Sequence, residues 1–246
     1  MITIGLTTGF LYNHLLPCNK QEKPVSHEMI KRCSNLGCNA IEFNCIGGFY
    51  DTSLADLKRI QRKDLLNFKH VSVHAPCREA RFDNSKKVRE ILYLLETESR
   101  RLGIDLVVFH PDTVDDWNIF QDFNIPMAIE NLDNNKRAFK AVADIGKIFK
   151  LLPKCRFVLD VNHCKANDPS MGLAQDFIDS FKDRIVEIHV SGFRVYHYPI
   201  YKTKQTEILD AIHNPNLPMI IESACKSEQD AKNEIEYIKS YFQKHI

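Results

Sequence analysis

The chain has 246 residues and a formal net charge of +1, and its 44% hydrophobic and 26% charged content is that of a globular protein with a substantial core. That balance excludes a disordered chain and provides no global field that would gather nucleic acid or an anionic membrane, which leaves only a local basic face for such a role. The opening MITIGLTTGF carries neither a basic leader nor an apolar run of membrane-spanning length, so a cytoplasmic protein independent of membranes is expected.

In chain order, a first strand is expected at 2–6 and a helix at 26–36, with Ser26 as its N-cap and Gly37 as its stop. A strand at 39–43 carries Glu42, a helix is expected over 53–66, and a strand at 70–74 closes on His74. The stretch 85–102 places Val88, Ile91, Leu92, Leu95 and Leu102 near one helical face, and Gly103 ends it. Next come a strand at 105–110 ending in His110, a short irregular or helical piece around 115–121, and a strand at 125–130 ending in Glu130. A helix at 135–150 and a strand at 156–160 ending in Asp160 follow, then a helix at 170–182 and a strand at 185–190 that contains His189. The aromatic loop GFRVYHYPIYK, a helix at 204–213, a strand at 217–222 ending in Glu222 and a helix at 227–243 complete the chain.

Eight strand and helix pairs without a linker or a shift of composition predict one domain over residues 1–246, a (β/α)8 TIM barrel of the α/β class. Strands rich in Val, Ile, Leu and Phe suit a parallel sheet covered on both faces. An open doubly wound sheet is the alternative, but no GxGxxG follows a strand. The eight cysteines form no CxxC pair, which argues against a zinc ribbon or a redox dithiol. Cys77 and Cys164 do stand beside candidate ligands.

Seven of the eight strand-like runs end in a histidine or a carboxylate: Glu42, His74, His110, Glu130, Asp160, His189 and Glu222. The C-terminal ends of barrel strands converge on one mouth, so these side chains meet there. Several carboxylates and imidazoles brought together in this way repel or desolvate one another unless a cation neutralises them. A divalent metal is therefore expected, and the mixed donors suit Zn2+, Mn2+, Fe2+ or Co2+. His163, three residues beyond Asp160, is expected to reach the same cavity from a loop, and Asn131 to orient Glu130 or to touch a substrate hydroxyl.

The segments HAP at 74–76, FHP at 109–111, IEN at 129–131, DVNH at 160–163 and IHVSG at 188–192 resemble the xylose-isomerase-like barrel superfamily. That superfamily holds sugar isomerases, ketose epimerases and the endonuclease-IV-type abasic-site nucleases, and the resemblance covers nearly the whole chain. In the epimerase branch it implies one divalent metal on Glu130, Asp160, His189 and Glu222, with Glu130 and Glu222 as acid and base. His163 then binds substrate, Arg194 lies close to the position of a substrate-binding arginine, and Glu42 and His197 join them on the substrate side.

The nuclease branch implies that Glu130 bridges to a second zinc on His74 and His110, with a third on His163 and an Asp-x-His pair. Here that pair reads Val195, Tyr196, His197, so an aspartate is missing, and Cys77 and Arg78 follow HAP where the nucleases carry a bulky residue that enters DNA. The leading expectation is an isomerase or epimerase of a small sugar or sugar phosphate. A zinc-dependent phosphodiesterase acting at abasic DNA sites is the alternative, and a barrel that binds a ligand without turnover is a third reading.

Overall fold

Every strand expected from the sequence becomes one stave of a closed parallel barrel. The computed structural model describes residues 2–9, 23–47, 53–78, 80–194 and 197–245. Its strands are β1 (Ile4–Thr7), β2 (Ala40–Asn44), β3 (His70–His74), β4 (Leu106–Phe109), β5 (Met127–Glu130), β6 (Arg156–Asp160), β7 (Ile185–Val190), β8 (Gly192–Phe193), β9 (His197–Tyr198) and β10 (Met219–Ile221). β1 to β7 pair in sequence order, and β10 closes the ring between β7 and β1. β8 and β9 form a small antiparallel hairpin above the mouth side of β7.

The alternation of side chains along a strand divides the core in two. Val107, Phe109, Ile129, Phe157 and Leu159 point outward and join the large core beneath the helices. Leu106, Val108, Ala128 and Val158 form a separate small apolar plug of inward parity on β4, β5 and β6. On β2, β3 and β7 the same inward parity falls on Glu42, His70, Ser72 and Glu187, all buried. One side of the barrel interior is thus apolar and the other polar.

The expected caps form. Ser26 accepts from the Met29 N–H at 3.3 Å and begins the helix His27–Asn35, while Ser85 accepts from the Val88 N–H at 3.4 Å and begins Lys86–Leu102. Gly103 ends the second helix with φ 72°, the left-handed geometry that favours glycine. Leu92 is fully buried on this helix, and Leu92→Ala would remove about 2–5 kcal/mol.

Four expected elements differ. The helix anticipated over 53–66 is broken into Ser53–Asp56 and two 3-10 pieces, Leu57–Arg59 and Arg62–Leu65, because Ile60 and Gln61 are extended. Arg101 stabilises the break by donating to the carbonyls of Leu57 and Ile60 at 2.8 Å each. The helix expected from 135 starts only at Val142, after a turn in which Phe139 has φ 62°. The 204–213 helix shrinks to Thr206–Asp210. The loop expected after Asp160 is instead a short helix, Val161–Asn167. No helix among the described residues is long and apolar enough to cross a membrane.

Candidate metal centre

The mouth of the barrel brings His74, His110, Glu130, Asp160, His189 and Glu222 together from six strands. Glu130 lies at the centre, and each of its two oxygens faces two imidazoles. Oε2 lies 3.5 Å from His74 Nε2 and 3.3 Å from His110 Nε2, while Oε1 lies 3.3 Å from His163 Nδ1 and 3.4 Å from His189 Nδ1. Glu222 Oε1 stands 3.5 Å from His189 Nδ1.

These spacings fit a cation better than hydrogen bonds. Neither Glu130 oxygen has a hydrogen-bond partner, and the same holds for Asp160 Oδ2 and His189 Nδ1, all buried. Leaving buried charged atoms unsatisfied is costly, so a native cluster of them calls for an ion. A tetrahedral ion with bonds of about 2.0–2.1 Å would hold its donors about 3.3–3.4 Å apart. Three sets of donors among the described residues are close enough to share an ion: Glu130, Asp160, His189 and Glu222 at the mouth, His74, Cys77 and His110 beside them, and Glu42, Glu187 and His189 beneath.

Neighbouring groups orient the imidazoles. His74 Nδ1–H donates to the Ala75 carbonyl at 3.0 Å, which turns Nε2 toward Glu130. His163 Nδ1–H donates to the Asn131 carbonyl at 2.8 Å. Asp160 caps the short helix that follows it, Oδ1 accepting from the His163 N–H at 2.8 Å, so His163 folds back over the cluster from a helix and not from the expected loop.

The ionisation states diverge in this crowded site. Burial opposes charge on Glu130, yet His189, His110 and His74 outweigh it and hold the carboxyl well below its ordinary range. Burial raises Asp160 well above its ordinary range, with His163 only partly opposing. Burial also pushes Glu222 up to about 7, opposed by His189 and reinforced by Glu130 and Glu42. His74 rises to about 9 because Glu130 and Glu42 outweigh its burial.

Beneath the mouth lies a second polar group that the strand-end reading missed. His70 Nε2 lies 2.6 Å from Glu187 Oε2, and Glu187 Oε1 lies 3.1 Å from His189 Nε2. With His189 Nε2 occupied from below, its Nδ1 is the nitrogen that faces Glu130 and Glu222. The signal for Glu187 was present as inward parity: in IVEIHV it alternates with His189, just as His70 alternates with His74 on β3.

Several residues expected at the substrate side lie elsewhere. Glu42 is fully buried under the cluster, with Oε2 3.2 Å from His189 Nε2. The Asn131 amide is spent on the backbone of Asp160, donating to its carbonyl at 2.9 Å and accepting from its N–H at 2.8 Å, so it ties β5 to β6. Arg194 is exposed on the β8–β9 hairpin, 6.0 Å from the ring of Tyr198. His197 does approach the site, its ring 5.4 Å from that of His163, with Nδ1 2.8 Å from Ser191 Oγ. Val195 and Tyr196 lie outside the described residues.

No protein-family model and no curated protein matches this sequence. Solved structures do. A D-psicose 3-epimerase determined in the presence of D-fructose has 15% identity and a TM-score of 0.67, over 98% of this chain and 99% of that one. Endonuclease IV from Thermus thermophilus has 13% identity and a TM-score of 0.65, over 89% and 94%. A 3-keto-D-glucoside 4-epimerase from E. coli has 9% identity and a TM-score of 0.63, over 98% and 100%. Likeness at this level is one of fold: the chain shares the closed (β/α)8 barrel with these epimerases and with endonuclease IV.

Proposed function

We propose that the protein is a divalent-metal-dependent isomerase or epimerase acting on a small sugar or sugar phosphate. The carrying observation is the contrast between the cluster's carboxylates: the Glu222 side chain is 16% exposed, whereas those of Glu130 and Asp160 are 1% exposed. Glu222 therefore reaches the cavity, where its carboxylate would give and take the proton of the reaction. Glu130, across His189 from it, is the partner for proton transfer on the other side of a substrate. When bound to Glu130, Asp160, His189 and Glu222, a divalent ion would act as a Lewis acid toward a substrate carbonyl. His163 and His197, whose rings lie 5.4 Å apart, would hold substrate hydroxyls.

The test is deuterium incorporation from solvent into carbon-bound positions of a panel of ketoses, aldoses and their phosphates, read by NMR with Mn2+-, Co2+- or Zn2+-loaded protein. Incorporation that disappears in Glu222→Ala and Glu130→Ala supports the reading, and no exchange across the panel overturns it. A second reading, phosphodiester hydrolysis at abasic DNA sites, is favoured by one observation: His74 and His110 both turn Nε2 toward Glu130 Oε2. Incision of an abasic duplex at low salt, lost on zinc removal and in His110→Ala, would establish it in place of the first.

A further inference from the structure

Glu234 stands outside the barrel interior and takes no part in the chemistry proposed above, yet it is fully buried. It projects from the C-terminal helix Glu228–His245, on the face that carries the buried Ala231, Ile235 and Ile238. An apolar residue would pack there at no electrostatic cost, whereas a carboxylate needs several donors to be tolerated. Burial pushes the Glu234 carboxyl above its ordinary range, and the groups that bond to it oppose this only in part.

Three donors meet that carboxylate. Oε1 accepts from the Ile200 N–H and from the Ser223 hydroxyl, each at 2.7 Å, and Oε2 accepts from the Tyr201 N–H at 2.8 Å. The two backbone donors fix the carboxylate in place. The hydroxyl carries its hold onward, because Ser223 follows Glu222 directly. Its other acceptor, the Tyr198 carbonyl, lies farther off at 3.5 Å. Glu222 turns inward to His189 while Ser223 turns outward to Glu234, so the bond between Ser223 and Glu234 fixes the rotation of the backbone that aims Glu222. The backbone on either side is tied as well: the Glu222 N–H donates to the Val190 carbonyl at 3.0 Å, and the Ala224 N–H to the His197 carbonyl at 2.9 Å.

We propose that Glu234 is a positioning residue for the metal centre, which orients Glu222 through the Ser223 hydroxyl. The proposal rests on the assignment of Glu222 to that centre and not on which reaction the centre performs. Groups that orient a metal ligand from behind are tuned as closely as the ligand itself. Asp230, one turn earlier on the same helix, provides an internal comparison. It accepts from Lys202 Nζ at 2.9 Å, from the Lys226 N–H at 3.1 Å and from the Tyr201 hydroxyl, so it grips the neighbouring segment without a bond to Ser223.

The experiment is titration of metal-stripped full-length protein with Mn2+, an ion suited to the carboxylate-rich donor set, with the free ion counted by electron paramagnetic resonance so that no turnover is needed. Ser223→Ala and Glu234→Gln should each weaken Mn2+ binding about tenfold, and the double variant should bind no more weakly than the weaker single one, since both changes cut one link. Asp230→Asn should alter binding by less than about twofold. Ser223→Ala keeps the bonds of Glu234 to the backbone, so its result decides the matter even where Glu234→Gln fails to fold. Unchanged affinity in Ser223→Ala, an equal loss in Asp230→Asn, losses that multiply in the double variant, or no Mn2+ binding by the unsubstituted protein overturns the proposal. The expected affinity changes without solvent exchange on any sugar would overturn the isomerase reading alone and leave the role of Glu234 standing.

Discussion

Two groups of buried charge share the interior of this barrel and follow opposite plans. On the floor, His70 and Glu187 meet at 2.6 Å, a charge-assisted hydrogen bond that satisfies both. At the mouth, four imidazoles surround Glu130 at 3.3 to 3.5 Å, and neither of its oxygens is hydrogen-bonded. Burial and residue type are the same in both places. What differs is separation, and the difference teaches that a short contact satisfies a buried charge, as for Glu187, whereas Glu130 and, beneath it, Glu42 keep oxygens without a hydrogen bond.

The largest effect that would break this contrast is at Glu130. Glu130→Gln should lower turnover by about 10²–10⁴-fold and reduce the metal content per chain measured by elemental analysis. Retention of full metal content would mean that the mouth is not organised around this carboxylate.

On the floor the effect should be on stability. Glu187→Ala leaves His70 buried without its partner and should cost about 3–5 kcal/mol in denaturant unfolding, while adding His70→Ala should cost less than the sum of the two single changes. Acidity sharpens the same point. Burial opposes charge on Glu187, but His189 and His70 hold it down at about 2 against an ordinary 4.5, so its contribution is complete above pH 4.5 and fades as pH falls toward 2. His70 is raised above its ordinary 6.5, Glu187 outweighing burial, so its contribution is complete below pH 6.5 and fades as pH rises through the folded value. The stability gap between the unsubstituted protein and the double variant should therefore be widest between pH 4.5 and 6.5. A gap that does not vary with pH would show the pair to be neutral.

The mouth should respond with the opposite sign. Burial destabilises the charged form of Asp160, and asparagine can still cap the helix that follows, so Asp160→Asn should stabilise the metal-free protein by about 1 kcal/mol. The same change should erase the stabilisation of about 2.7 kcal/mol expected for a metal at a hundred times its Kd. Thermal melts with and without metal test both. The smallest effect is at Arg194, exposed on the hairpin, where Arg194→Ala should alter stability by less than about 0.5 kcal/mol and leave metal content unchanged.

Much of this architecture could be read from the chain. Regular alternation, serine caps before apolar stripes and strand ends rich in His, Asp and Glu were enough for the barrel and for the residues that meet at its mouth, because both depend on short-range periodicity and on the rule that parallel strands converge at one end. The broken 53–66 segment was not legible, since Arg101, far along the chain, supplies the donors that hold its carbonyls. Glu187 and His70 were visible as inward positions, but their pairing across the floor was not. Nor were the positions of Asn131, whose amide is taken up by the backbone of Asp160, and of Glu42, which lies on β2 beneath His189. The sequence by itself determined which side chains face inward and at which end of the barrel they lie. Only the tertiary structure decided which of them satisfy one another, because a few tenths of an ångström between strands distant in sequence separate a hydrogen-bonded pair from donors that stand apart.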